Sequence, residues 1–406
     1  MDLVSIGDNM VRTISKPWFS LLIITFYLLI ITSPLFALDP GLMLDQSLEI
    51  GGIDSDAEFV NKGIIIPRLS GLIGDNGGFY LSAGMNYQFE PVGLVPELLR
   101  TDFNWRSGSF DFRIGRMLYS DPLGIIAQGL FDGARFSFDT GIGTFSAGAW
   151  YTGLLYKRRA NIAMTLREQL HNARSLSINN YGNSYFAPRR VLSALEWEHQ
   201  GIGAREMLMA SMAVLGQFDL TDSNLHSQYL ALKLGIPIAS FAFNLGGCFE
   251  TLGLPDRLRL AYAAELEIAW RTRFQRLSLL GRYSSGKTDY TVAFLPLSSI
   301  AQGYILKPSI TGVSSASLDY TARLHRTFSI GLSSFYFILN DLETFSSFRS
   351  GGNLLGAEFY GMLYWNPFSD LSINLGGGVF LPTLGNSITD IDNLWSVELK
   401  FIFSFL

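Results

Sequence analysis

From residue 42 to the C-terminus, apolar and polar side chains alternate with a period of two. That is the repeat of an extended strand whose two faces meet different surroundings. The segment 257–271 shows it most plainly. Arg257, Arg259, Ala261, Ala263, Glu265, Glu267 and Arg271 fall on one face, and Leu258, Leu260, Tyr262, Leu266, Ile268 and Trp270 on the other. Such an alternation outlasts an ordinary sandwich strand of about 5–6 residues. It suits a tilted membrane-spanning strand with an aromatic residue at the interface. The chain end repeats the pattern: Trp395, Val397, Leu399, Phe401, Phe403 and Phe405 alternate with Ser396, Glu398, Lys400 and Ser404. A charged face and an aromatic face on one strand are both satisfied when lipid lies outside and water inside.

Parsed this way, the chain predicts an all-β transmembrane antiparallel barrel of about 18 strands, with 16 as the alternative. The first nine strands are expected near 42–52, 62–73, 78–88, 98–106, 109–118, 129–139, 143–153, 190–199 and 204–215. The other nine are expected near 225–234, 239–249, 258–271, 273–283, 315–325, 327–338, 353–365, 370–380 and 394–405. Short connections such as Gly74–Gly77, Ser107-Gly108 and Thr140–Ile142 alternate with longer ones at 53–61, 89–97, 119–128, 154–189, 216–224, 250–257, 284–314, 339–352 and 381–393. Short periplasmic turns alternating with long external loops are the topology of bacterial outer-membrane barrels. An even strand number then leaves both termini on the short-turn side.

Composition sharpens this picture. Charged residues are 16% of the 406 positions, against roughly 25% in soluble proteins, while aromatics reach 14%. Beyond residue 37 no run approaches the ~18 apolar residues of a membrane-spanning helix. At the N-terminus, Arg12 and Lys16 precede the apolar run Trp18–Ile31 and the small residue Ala37. This is the layout of a secretory signal peptide over 1–37, with an uncleaved anchor as the alternative reading. Translation starts at Met1 or Met10 on this reading. A single domain, 38–406, follows, because no linker or charge run interrupts it. Cys248 stands alone, which excludes an internal disulfide framework and a cysteine-rich metal site. A net charge of -5 gives no sign of nucleic-acid binding.

Catalytic chemistry is not indicated. His171, His199, His226 and His325 are scattered without metal-ligand spacing, and no Gly-x-Ser-x-Gly signature occurs. Gly376-Gly377-Gly378 sits inside a strand, where glycine serves close packing or bending of the wall better than phosphate binding. No catalytic residue, metal or cofactor is expected. The expected partners are outer-membrane lipids, the barrel-assembly machinery and small polar or anionic solutes.

Two stretches resemble a known family. Phe110-Asp111-Phe112-Arg113-Ile114-Gly115-Arg116 followed by Phe131-Asp132-Gly133-Ala134-Arg135 resembles a paired-strand module of porins related to alginate-export proteins. Leu355-Gly356-Ala357-Glu358-Phe359, Leu363-Tyr364-Trp365-Asn366-Pro367 and the continuation Leu371–Pro382 resemble that family's penultimate hairpin. The motifs cover about 80 residues near the two ends. The resemblance implies an 18-strand outer-membrane channel, with exopolysaccharide export in the named member. The C-terminal Phe405-Leu406 departs from the final aromatic of that pattern.

Strand parity assigns Arg100, Asp102, Arg113, Arg135, Arg257, Arg259, Glu265, Glu267, Arg323 and Glu358 to the inner face as pore-lining candidates. Arginine can receive carboxylates bidentately, so this set reads as an anion-tolerant ladder or, alternatively, as ion pairs that hold the wall together. Loop 154–189 carries Ile162, Thr165, Leu166, Gln169, Leu170 and Ala173 at helical spacing. With Arg158, Arg159, Arg167 and Arg174 it reads as a constriction folded inward or as a surface cap. The functional expectation is a channel for polar or anionic solutes or saccharides. The competing reading is a barrel whose loops 154–189 and 284–314 bind partners without transport. A third, uptake of hydrophobic molecules, calls for an apolar lumen.

Overall fold

The computed structural model describes residues 38–54, 56–88, 93–202, 208–221, 225–254, 257–288, 290–341, 352–387 and 392–405. The proposed signal peptide, residues 1–37, lies outside them. Eighteen strands, β1 (Leu38–Ile53), β2 (Asp56–Ile73), β3 (Gly77–Gln88), β4 (Gly93–Ser107), β5 (Phe110–Ser120) and β6 (Gln128–Thr140), then β7 (Gly143–Tyr151), β8 (Arg190–Ile202), β9 (Leu208–Asp219), β10 (His226–Ile238), β11 (Phe241–Leu254) and β12 (Arg257–Arg271), and lastly β13 (Gln275–Ser284), β14 (Val313–Arg323), β15 (Phe328–Leu339), β16 (Leu354–Phe368), β17 (Leu371–Leu381) and β18 (Leu394–Phe405), form one sheet. Each strand pairs antiparallel with its neighbour in sequence. β1 also pairs with β18, from Leu42↔Phe405 to Ile53↔Leu394. That closure leaves no free edge, which a bilayer requires because lipid cannot satisfy backbone N–H and C=O groups.

The strand count is the expected one, and the differences lie at the ends. The 53–61 loop is instead a tight turn: β1 runs to Ile53, which pairs with Asp56 of β2. Asp56, Glu58 and Asn61 read as loop because they are polar, but strands that project past the lipid can be polar on both faces. β2 reaches 18 residues in this way, against nine in β7.

Alternation along β12 defines inside and outside. Leu258, Leu260 and Leu266 are 67%, 54% and 49% exposed, whereas Ala261 and Ala263 are buried. The exposed apolar set is the lipid face. Small inner residues align across the wall, Ala213–Ala231–Cys248–Ala263, in direct register on β9 to β12. Their shortness leaves room above the inner wall. Leu123, Ile125, Ile126, Ile162, Met164, Phe294 and Leu297, all from loops, fill it in one apolar cluster with this row. Cys248 is thus a buried small filler. The core of the molecule is therefore inside the barrel and is made by loops that fold inward.

Candidate functional site

Among the described residues, three loops from the edge opposite the short turns enter the barrel, and each is tied down by buried ionisable side chains. The first, 121–127, wraps around Asp121. Its two carboxylate oxygens accept the backbone N–H groups of Leu123, Gly124, Ile126 and Ala127, all at 2.9 Å. Burial pushes Asp121 above the usual carboxylate range, outweighing the four amides that favour its charged form. The loop reaches across to the far wall, where the Pro122 carbonyl accepts Lys233 Nζ at 3.0 Å.

The second loop, 152–189, contains the helix Leu166–Ala173. Thr165 caps it, and Glu168 completes a capping box by accepting the Thr165 N–H. The other Glu168 oxygen receives Arg190 of β8 at 2.7 and 2.9 Å, and Arg190 is completely buried. At the far end of the helix, Lys157 Nζ donates to the carbonyls of His171 and Arg174, both at 2.8 Å, as the negative end of a helix dipole favours. Burial holds the Lys157 ammonium below the ordinary lysine range, and Arg158 and Arg174 push the same way. Arg159 grips Glu97 of β4 at 3.0 Å, and Tyr185 donates to the Pro96 carbonyl at 2.8 Å. The loop thus spans from β7 to the β4 wall.

The third loop, 285–312, is held at two points. Glu250 accepts the Leu295 N–H at 2.8 Å while Tyr229 donates to the Leu295 carbonyl at 2.7 Å. Tyr229 and Glu250 face each other in register on β10 and β11. Further round the barrel, Glu358 accepts the N–H groups of Tyr304 at 2.5 Å and Leu306 at 3.0 Å.

The candidates from strand parity fall into four groups. Several belong to ion pairs on the inner wall: Arg100 with Asp102 at 2.5 Å, Arg113 with the same Asp102 at 3.9 Å, and Arg135 with Glu196 at 2.7 Å. Glu265 meets Arg282 at 3.4 Å, and Glu267 pairs with Arg276. Glu358 is fully buried under the third loop, so it anchors a loop where an open lining position was expected. Arg323 makes no ion pair among the described residues and sits at the short-turn end of β14. Arg259 stands in register beside Leu252, while the Arg257 side chain lies outside the described residues. In the second loop, Arg158, Arg167 and Arg174 are exposed and Arg159 is paired as above. Parity did not single out Lys157, Glu97, Asp121 or Glu250. The apolar Leu123 to Ile126 beside Asp121 was the one available signal, since an external loop has no reason to be that apolar.

Between these loops and the wall lie cavities that carry charged side chains. One of about 830 Å³ is flanked by Lys62, Lys400, Asp45 and Tyr87 on the wall and by Tyr156 and Arg158 on the second loop. A second, about 560 Å³, lies by Arg135, Glu196 and Lys233 below the first loop. A third, about 310 Å³, adjoins Tyr304 of the third loop.

No protein-family model matches the chain, and no curated protein matches it. Solved structures do. Pseudomonas aeruginosa OccK2 (OpdF) superposes with a TM-score of 0.64 at 12% identity, over 91% of this chain and 98% of that one. The fold is that of the OccK porins. A second OccK2 structure, a complex with glucuronate, gives 0.63 at 13% identity over 91% and 98%. OpdO of the same organism gives 0.61 at 12% over 91% and 97%. At such identities the likeness shows the fold alone.

Proposed function

We propose that the chain is an outer-membrane channel for small polar solutes, with no bond chemistry of its own. Carboxylate-bearing solutes, uronate-type saccharides among them, enter on the side of Lys62, Lys400 and Arg158. The observation that carries this reading is the 830 Å³ cavity between the inner wall and the second loop. Lys62 and Lys400 are matched there by Glu49 and Asp45 at 2.9 Å. Arg158 is exposed and makes no ion pair among the described residues, leaving its guanidinium for a passing carboxylate. The glucuronate held by OccK2 and the motif resemblance to alginate-export porins support the same solute class. The inward docking of both long loops favours a channel over a barrel that only mounts binding loops. On this reading the signal peptide, the barrel-assembly machinery and the surrounding lipids serve export and insertion.

Reversal potentials in planar bilayers test the solute class. The wild type is expected to prefer anions at 0.1 M salt, with the preference fading above about 0.5 M as the Debye length shrinks to several ångström. Arg158→Gln is expected to move the reversal potential toward cations while leaving assembly intact. An unchanged potential would remove Arg158 from the account.

A further inference from the structure

The 310 Å³ cavity beneath the third loop differs in charge from the cavity beside Arg158, where Lys62, Lys400 and Arg158 stand among Asp45 and Glu398. Its wall is a register row on neighbouring strands, Ser278–Asp319–Ser333–Tyr360, so these side chains stand side by side on the inner face. Asp319 receives the hydroxyls of Ser317 at 3.0 Å and Ser333 at 2.6 Å, and it makes no ion pair among the described residues. Arg276, the nearest cationic side chain in the cavity, already pairs with Glu267. Arg323 lies four residues further along β14, about 13 Å away at strand rise. The cavity therefore holds one net negative charge, on Asp319.

Its other feature is aromatic. The Tyr360 ring lies against Gly376 and Gly378 of β17: a Cβ at Gly376 would strike its hydroxyl, and one at Gly378 would strike the Phe359 carbonyl and the edge of the Tyr360 ring. Tyr304 of the third loop stacks on Tyr360 at 4.4 Å and 14°. Phe335 braces Tyr304 edge-on at 5.8 Å. Tyr304 stays 39% exposed, so a fixed ring borders the cavity that holds the Asp319 carboxylate.

We infer that this cavity binds a small organic cation, an ammonium-bearing solute whose charge meets Asp319 and whose alkyl groups lie on Tyr304. A carboxylate without a counter-ion attracts such a head group, and an aromatic face adds a cation–π contact. The surrounding serine and threonine hydroxyls solvate the rest. The inference rests on the cavity and not on transport, so it stands or falls separately from the channel reading.

The test is isothermal titration of the purified barrel in detergent with choline chloride, and in parallel with glucose. Wild type is expected to bind choline in an Asp319-dependent manner. Asp319→Asn should weaken binding about ten-fold or more, equivalent to 1.4 kcal/mol, and Tyr304→Leu several-fold. Heat-modifiable gel migration checks that both variants are folded. Should Asp319→Asn fail that check, Tyr304→Leu, on a loop outside the wall, still decides. Absence of choline binding, equal affinity in the folded variants, or Asp319-dependent binding of glucose alone would each overturn the inference.

Discussion

Arg116 of β5 grips Asp132 of β6 through two parallel hydrogen bonds, Nε and Nη2 each at 2.8 Å from a carboxylate oxygen. These residues close the two halves of the Gly-Arg and Asp-Gly motif, and they are cross-strand partners, as are Gly115 and Gly133. Gly115 takes φ +118°, and a Cβ there would come within 1.8 Å of the Thr101 carbonyl oxygen. Gly115 thus lets β4 close in on β5, and Gly133, where a Cβ would meet the Ala149 carbonyl, lets β7 close in on β6, while the ion pair joins β5 to β6 between them. Arg116 also donates to the carbonyls of Leu98 and Leu154, which ties the second loop to this strand pair.

Arg116→Ala is therefore expected to destabilise the barrel by about 3 kcal/mol, because it strands a carboxylate in a largely buried setting. Arg116→Lys keeps the charge but not the fork and should recover only part of the loss. Urea unfolding in detergent micelles measures both. Equal stability of wild type and Arg116→Ala would show the pair to be ornamental.

The period-two alternation is sufficient for the barrel and for a strand number of about 18 with 16 left open, because a lipid face and an aqueous face impose opposite demands on successive residues. The observed closure of β1 on β18 fixes it at 18. Loop fate was less legible. Val292–Leu297 is visibly apolar, and Phe294 and Leu297 are indeed buried inside. Glu358 shows the limit: parity places it on the inner face, but only tertiary structure reveals that Tyr304 and Leu306 cover it. Parity alone puts Arg100 beside Asp102 on β4, but it cannot show that Arg113 of β5 shares that carboxylate, since cross-strand register sets that.

Asp121→Asn replaces one acceptor oxygen with an NH2 that points at two N–H donors. The loop 121–127 should loosen at a cost of about 2–4 kcal/mol. Burial raises the folded-state pKa of Asp121, so the folded protein holds this proton more tightly than the unfolded chain. That contribution is complete below the unfolded value and fades as pH rises through the raised folded value. The stability gap between wild type and Asp121→Asn should consequently be wider at pH 4 than at pH 8. A gap that widens toward alkaline pH would contradict the burial argument.

Wall orientation makes a finer prediction than simple alternation. In a Cys248→Ala background, cysteines placed along 258–271 should resist a water-soluble thiol reagent at 258, 260, 262, 266 and 268, which face lipid. Positions 259, 267 and 271 should react. Positions 261 and 263 should stay silent although they face inward, because the loops seal them. Labelling at every second residue without that gap would mean the loops do not fill the barrel.

Glu358→Gln should free the third loop, since the new amide cannot accept both the Tyr304 and Leu306 N–H groups. The expected result is noisier, larger-amplitude channel gating with an unchanged strand framework by circular dichroism. Silent, wild-type-like current traces would show that Glu250 and Tyr229 hold the loop unaided.

Single-channel conductance of the purified protein, with and without residues 158–186, decides whether the barrel is a channel narrowed by its second loop. The deletion joins Lys157 to Ala187, which is feasible because Ala187 N–H already donates to the Leu155 carbonyl at 2.9 Å. Discrete channels are expected for the full chain and a clearly larger conductance for the shortened one, as the loop crossing the lumen is removed. Folded barrels that conduct no ions in either form would contradict the channel reading.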